Sequence, residues 1–151
     1  MLQLTKIFHF EMAHAINGYN GPCKNIHGHS YELHVTVSSS GRTDVYIPAP
    51  GFIIDFKEIK GMVKHSVIGY FDHKLLLSQA FLAGHPSFSK HENLVIWEWE
   101  PTAENILTYI KQKLDEHFKD KIELVHLKLY ETKDSYVEWI NDNKLTGKII
   151  I

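Results

Sequence analysis

At 151 residues, with 44% hydrophobic and 23% charged side chains, the chain has the length and make-up of one domain, 1–151, with its own core. A net charge of −2 supplies no general attraction for nucleic acid or an anionic membrane. One cysteine forbids an internal disulfide, Met1 opens into LQLTKIFHF without a signal-peptide pattern, and no apolar run is long enough to cross a bilayer, so the expectation is a cytoplasmic protein.

Residues 5–14, TKIFHFEMAH, alternate between Phe8, Phe10 and Met12 on one face and His9 and Glu11 on the other, as a half-buried strand does. HSYELHVTVS, 29–38, repeats the pattern, with Tyr31, Leu33, Val35 and Val37 inward. The Gly/Asn/Pro-rich stretch between them predicts a long-looped hairpin. GFIIDF, 51–56, reads as a short buried strand or extended entry. It leads into a helix opened by Asp55 and Glu58 and striped by Phe56, Ile59, Val63 and Val67.

Residues 78–98 read as a loop insertion, with a short strand possible at 94–99. Thr102 after Pro101 caps a second helix carrying Ile106, Ile110, Leu114 and Phe118. Residues 122–132 and 135–140 form a second antiparallel pair. The expected class is α+β: ββααββ order, a four-stranded antiparallel sheet and both helices on one face.

Histidine is the unusual residue, with 11 copies. His14 falls on the face of Phe8, Phe10 and Met12, and His27 and His29 on that of Tyr31 and Leu33. Antiparallel pairing brings the three imidazoles together at one end of the sheet. Three histidines with an open fourth position form a catalytic zinc pattern, and Gly28 between two of them would let backbone pass close to a metal. The alternative is three unrelated core or loop histidines. His9 and His34 fall on the outer faces, toward solvent.

Cys23, four residues before His27, has two readings. As a fourth ligand it closes a structural site. As a free thiol in the loop above the metal it could act as base or nucleophile. Asp72 and His73 are either a polar helix end or a carboxylate-oriented imidazole able to relay a proton. Glu131 ends a strand whose inward residues are read as Val125, Leu127 and Leu129. It lies either at the sheet's wet edge or aimed at a ligand with N–H donors.

The stretches FHFEMAH (8–14), CKNIHGHSY (23–31), GFIIDF (51–56), DHK (72–74), PTAEN (101–105) and LYET (129–132) together resemble the family of 6-pyruvoyl-tetrahydropterin and 6-carboxytetrahydropterin synthases. These are enzymes of the tunnelling fold, or T-fold. The resemblance implies His14, His27 and His29 as ligands of Zn²⁺, and Cys23, Asp72 and His73 as a catalytic triad. It implies Glu131 as the carboxylate that anchors the pterin ring, with Thr102 and Glu104 near the same pocket. It further implies 7,8-dihydroneopterin triphosphate as substrate, and a homohexamer of two stacked trimers with active sites between subunits.

The three-residue gap between Cys23 and His27 looks like the queuosine (7-deazapurine) branch, whose product is 6-carboxy-5,6,7,8-tetrahydropterin. The biopterin-pathway pyruvoyl synthases resemble the chain less, having a longer gap. Two features depart from the family: Leu77 follows Leu76 where Asn or Asp is common, and 78–98 is long and carries His85 and His91. The alternatives are a 6-pyruvoyl-tetrahydropterin synthase and a non-catalytic zinc- and pterin-binding module. The second would need the zinc site and Glu131, but not the triad.

Overall fold

Two twelve-residue strands form the spine of the molecule. β1 (Gln3–His14) and β2 (His27–Ser38) pair antiparallel from Gln3 opposite Ser38 to His14 opposite His27. The alternation read in the sequence sets their facing. Phe8, Phe10, Met12, Tyr31, Leu33, Val35 and Val37 are all buried, while His9 and Glu11 stay on the outer side. The computed structural model describes residues 2–39, 45–118 and 122–142.

The sheet has six strands, in the order β4-β3-β1-β2-β5-β6. On one side of the spine, β5 (Glu123–Thr132) pairs antiparallel with β2, and β6 (Ser135–Ile140) with β5. On the other, β3 (Lys74–Ser78) runs parallel to β1, and β4 (Leu94–Trp97) parallel to β3. The expectation of four antiparallel strands is therefore corrected to a mixed six-stranded sheet. Within Lys74–Ser78 the unbroken apolar run Leu75–Leu77 is buried on both sides, so it shows no period-two alternation to mark it as a strand.

The helices cover the inner face. α1 (Phe56–Val63) starts at Asp55, whose carboxylate accepts from the Lys57 amide at 2.8 Å, and runs on through a π-turn, Lys64–Ile68, into the single turn α2 (Gly69–Phe71). Ile59, Val63 and Val67 are fully buried, whereas Phe56 is 49% exposed and lies outside the stripe. GFIIDF is not a strand: it is irregular backbone with a bend at Ile53–Ile54 that leads into α1, with Ile54 buried. α4 (Ala103–Phe118) presents Ile106, Ile110, Leu114 and Phe118 to the same core.

Residues 78–98 are not a loop. They hold α3 (Gln79–Gly84), capped by Ser78, then a 3₁₀ turn at Pro86–Lys90, then β4. Phe81 of α3 packs with Ala15, Leu75 and Leu77 in a second small core. Because Leu75 and Leu77 alternate with the main-core Leu76, this cluster covers the opposite face of β3, so helices flank both faces of that strand.

A register shift between β2 and β5 pairs Thr36 with His126 but Val37 with Leu124. Leu124 thus joins the main core in place of Val125, as expected where a bulge inserts one residue. The alternation resumes at Leu127 and Leu129 and carries Glu131 inward. No helix among the described residues is long and apolar enough to cross a membrane.

Candidate metal centre and active site

Strand pairing assembles the histidines. His14 closes β1 directly opposite His27, the first residue of β2, and His29 lies opposite Met12. One ligand nitrogen from each lies within 4.8 Å of the others. The rings stand 4.6, 5.2 and 4.9 Å apart between centroids.

Hydrogen bonds fix which nitrogen is bare in two of the rings. His14 Nδ1 donates to the Pro101 carbonyl at 2.7 Å, and His27 Nδ1 to the Asn25 carbonyl at 2.8 Å. A carbonyl only accepts, so both Nδ1 atoms carry the proton. The two Nε2 atoms then meet as lone pairs 3.1 Å apart. His29 Nε2 is buried with no hydrogen-bond partner.

Proton uptake is opposed. Burial, the largest influence, holds His14 below its ordinary 6.5, although the Pro101 carbonyl and Glu131 push the other way. Burial also lowers His29, again against Glu131. Converging lone pairs in neutral rings repel unless a cation lies among them. Carbonyl contacts to the outer nitrogens are the usual support of metal-ligating imidazoles, so the residues fit a divalent metal with nitrogen preference. Gly28 is not required by that site. A Cβ there would meet the Met12 carbonyl at 3.5 Å and Ala13 at 4.0 Å, ordinary contacts.

The metal-facing cavity, about 340 Å³, is lined by His14, Cys23, His27, Thr102, Glu104 and Glu131, with Ile16, Tyr19 and Ala103. Cys23 sits on the single 3₁₀ turn Pro22–Lys24 and is not part of the three-nitrogen cluster. Two contacts tie its loop down: the Ile16 amide donates to the Cys23 carbonyl at 2.9 Å, and the Asn17 amide to Glu100 Oε2 at 2.7 Å. Glu100 also accepts through its carbonyl from the Thr102 amide and the Asn105 side chain. It joins the loop to the start of α4, where Thr102 Oγ1 caps the Asn105 amide.

Glu131 Oε1 lies 3.5 Å from His14 Nε2 and 3.8 Å from His29 Nε2, and accepts from the Tyr31 hydroxyl at 3.2 Å. Burial first, then the Glu131 carboxylate, push the Tyr31 phenol far above its ordinary range, so it remains a donor. Oε2 has no partner among the described residues.

Asp72 and His73 take a different place. Asp72 Oδ1 accepts from the Glu11 amide at 3.0 Å, and the His73 amide donates to the Glu11 carbonyl at 2.7 Å, so the pair latches onto β1 just before β3 begins. His73 adopts a left-handed φ of 58°, a conformation that costs energy outside glycine. Its Nε2 lies 3.7 Å from Asp72 Oδ2, and its side chain is 78% exposed. His73 lines a second cavity, with Glu11, His29 and His91, that does not include Cys23. Within one chain the three expected triad residues are not brought together.

Of the two outer histidines, His9 is exposed, but His34 is half-buried, bonded to Glu32 and packed on Tyr130. Glu100, Tyr31 and the carbonyls of Pro101 and Asn25 were not anticipated as site residues. Tyr31 was detectable, being two residues beyond His29 on the same strand face. The carbonyls carry no side-chain signal.

The profile of the family described as 6-pyruvoyl tetrahydropterin synthase matches residues 3–141. The chain is 33% identical over 146 residues to a 6-carboxy-5,6,7,8-tetrahydropterin synthase of Rickettsia typhi, covering 91% of this chain and 99% of the relative. It is 28% identical over 153 residues to the synthase of that name from Haemophilus influenzae, covering 92% and 99%. Among solved structures, an uncharacterized protein from Wolinella succinogenes superposes with a TM-score of 0.73 at 17% identity, covering 93% of this chain and 98% of that one. The Caenorhabditis elegans 6-pyruvoyl tetrahydropterin synthase does so at 0.66 and 20%, covering 93% and 95%. These two likenesses concern the fold. With the family profile spanning nearly all of the chain and a relative 33% identical over 91% of it, the protein belongs to the 6-pyruvoyl tetrahydropterin synthase family.

Proposed function

We propose that the protein is a zinc-dependent 6-carboxy-5,6,7,8-tetrahydropterin synthase of queuosine biosynthesis. It converts 7,8-dihydroneopterin triphosphate to 6-carboxytetrahydropterin, acetaldehyde and triphosphate, in a homohexamer whose sites lie between subunits. The observation that carries this reading is the convergence of one ligand nitrogen each from His14, His27 and His29 within 4.8 Å, with His14 and His27 lining one cavity with Cys23 and Glu131. The names of the bacterial relatives support the carboxy product, as does the three-residue gap between Cys23 and His27.

When bound by the three histidines, zinc supplies Lewis acidity toward oxygens of the substrate's side chain. Glu131 offers the free Oε2 to the paired N–H donors of the pterin ring, a charge-assisted contact that orients the ring. Tyr31 holds Oε1 and keeps the carboxylate's position fixed. Thr102 and Glu104, at the opening of α4, border the ring's pocket.

Cys23, separate from the metal ligands, takes and returns protons at the side-chain carbons. Asp72 orients His73 as its proton-relay partner. Because these two residues lie away from Cys23 in the same chain, the relay is completed by a neighbouring subunit.

The test is incubation of the zinc-loaded protein with dihydroneopterin triphosphate and identification of the pterin by mass spectrometry. A 6-pyruvoyl product without acetaldehyde would replace this reading by the pyruvoyl synthase. Binding without turnover would replace it by a non-catalytic module.

A further inference from the structure

We infer that a cavity adjoining the metal cavity is the docking site for the substrate's triphosphate, with Lys24, Asn17, Asn20, Asn25 and His85 as its anion-binding groups. This rests on the reading above, in which the substrate carries that group.

The cavity is about 470 Å³, in the range of small-molecule sites. It shares Ile16 and Tyr19 with the metal cavity, so one ligand can span the two. Cys23 and Lys24 are consecutive residues of one 3₁₀ turn; the first lines the metal cavity and the second its neighbour. A substrate whose reacting carbons lie at Cys23 therefore has its leaving group one residue away, at an ammonium.

Charge selects this cavity over the others at the site. The metal cavity carries Glu104 and Glu131, and the cavity beside His73 sets Glu11 against its one ammonium, Lys74. No carboxylate lines the cavity at Lys24. Several negative charges placed near a carboxylate in a partly desolvated pocket are strongly repelled.

The donors are also uncommitted. The Lys24 ammonium and the carboxamides of Asn17, Asn20 and Asn25 make no hydrogen bond or ion pair with another described residue. His85 comes from α3's end, in the long 78–98 segment. Its Nδ1 donates to the Phe81 carbonyl at 3.0 Å, and its ring stacks on Phe81 at 4.3 Å. The ring is thus held in place, and in its doubly protonated form, which an adjacent anion favours, Nε2 donates to a phosphate oxygen. The segment that departs most from the family pattern thereby gains a role in substrate recognition.

The experiment measures two things on the zinc-loaded protein, with zinc content checked throughout. The first is KM and kcat with dihydroneopterin triphosphate. The second is calorimetric binding of inorganic tripolyphosphate and, separately, of dihydroneopterin lacking the triphosphate.

Lys24→Glu should raise KM and weaken tripolyphosphate at least about tenfold, as for loss of a charge-assisted contact. The same variant should leave dihydroneopterin affinity unchanged, and Lys24→Arg should restore both measurements. His85→Ala should act in the same direction, by about threefold. An unchanged tripolyphosphate affinity in Lys24→Glu, or an equal loss for dihydroneopterin, overturns the assignment. Lys24-dependent tripolyphosphate binding without turnover of the pterin sustains the anion site and overturns the synthase reading. Turnover with Lys24-independent binding does the reverse.

Discussion

The histidine cage makes the metal-free protein sensitive to acid, in a window that can be calculated. An unfolded imidazole titrates near 6.5, whereas burial holds His14 and His29 below that value in the fold. Above 6.5 both states are neutral at these positions and nothing distinguishes them. As pH falls from 6.5 toward the folded values, the unfolded chain binds protons that the fold refuses, so stability is lost on acidification. Each such group costs up to about 1.4 kcal/mol per pH unit. His14 is 2% and His29 18% exposed in their side chains, so little solvent screening applies.

At pH 5.5, one unit below the unfolded value, the two together can cost no more than about 2.8 kcal/mol, which caps the fall in Tm at about 6–11 °C for a chain of this size. Metal binding needs the same two nitrogens bare, so the stabilisation from added zinc shrinks over the same window. The assay is calorimetric melting of metal-free and zinc-loaded protein between pH 5 and 8, with His29→Asn as the reference that lacks one titrating ring. If the metal-free Tm fell no more steeply than that of the reference below pH 6.5, or if zinc gave no increment at pH 7.5, the cage argument would be refuted.

Cys23→Ala should keep its zinc, measured by elemental analysis, while turnover disappears; co-loss of zinc in a folded variant would make Cys23 a ligand. Mixing dissociated Cys23→Ala and His73→Ala chains and reassembling them should recover activity in about a quarter of the sites, since each random pair of neighbours supplies both intact groups with that frequency. No recovery from properly assembled mixtures would contradict the shared site. Tyr31→Phe removes the hydroxyl that holds Glu131 Oε1 and should raise KM about tenfold with kcat nearly unchanged; an unaltered KM would show that Glu131 needs no such support. Glu100→Ala frees the Asn17 amide and loosens the loop, so the chain's single thiol should be alkylated several-fold faster, with Glu100→Gln close to the parent; identical rates in all three would remove Glu100 from the positioning of Cys23.

Period-two alternation was enough to read the hairpin, its register end and the shared face of His14, His27 and His29, because one buried face determines everything along a regular strand. It was also enough for Glu131, two residues past Leu129 on the same face. Alternation could not reveal β3, where Leu75–Leu77 is buried on both sides, and so the six-stranded, partly parallel sheet was missed. It also misassigned Val125, because a bulge changes the facing of one residue without altering its neighbours' chemistry. The triad's residues were readable from their pattern, but their separation within one chain depends on tertiary placement. Asp72 and His73 belong to the latch between β1 and β3, whereas Cys23 rides the loop between β1 and β2. Glu100 was hidden for a related reason, since its partner Asn17 is 83 residues away in sequence.

The most direct measurement is mass-spectrometric identification of the pterin and the two-carbon fragment released when zinc-loaded protein meets 7,8-dihydroneopterin triphosphate. The expected result is 6-carboxytetrahydropterin with acetaldehyde, abolished in Cys23→Ala. A 6-pyruvoyl pterin without acetaldehyde, or unchanged substrate bound to a fully zinc-loaded protein, would contradict it.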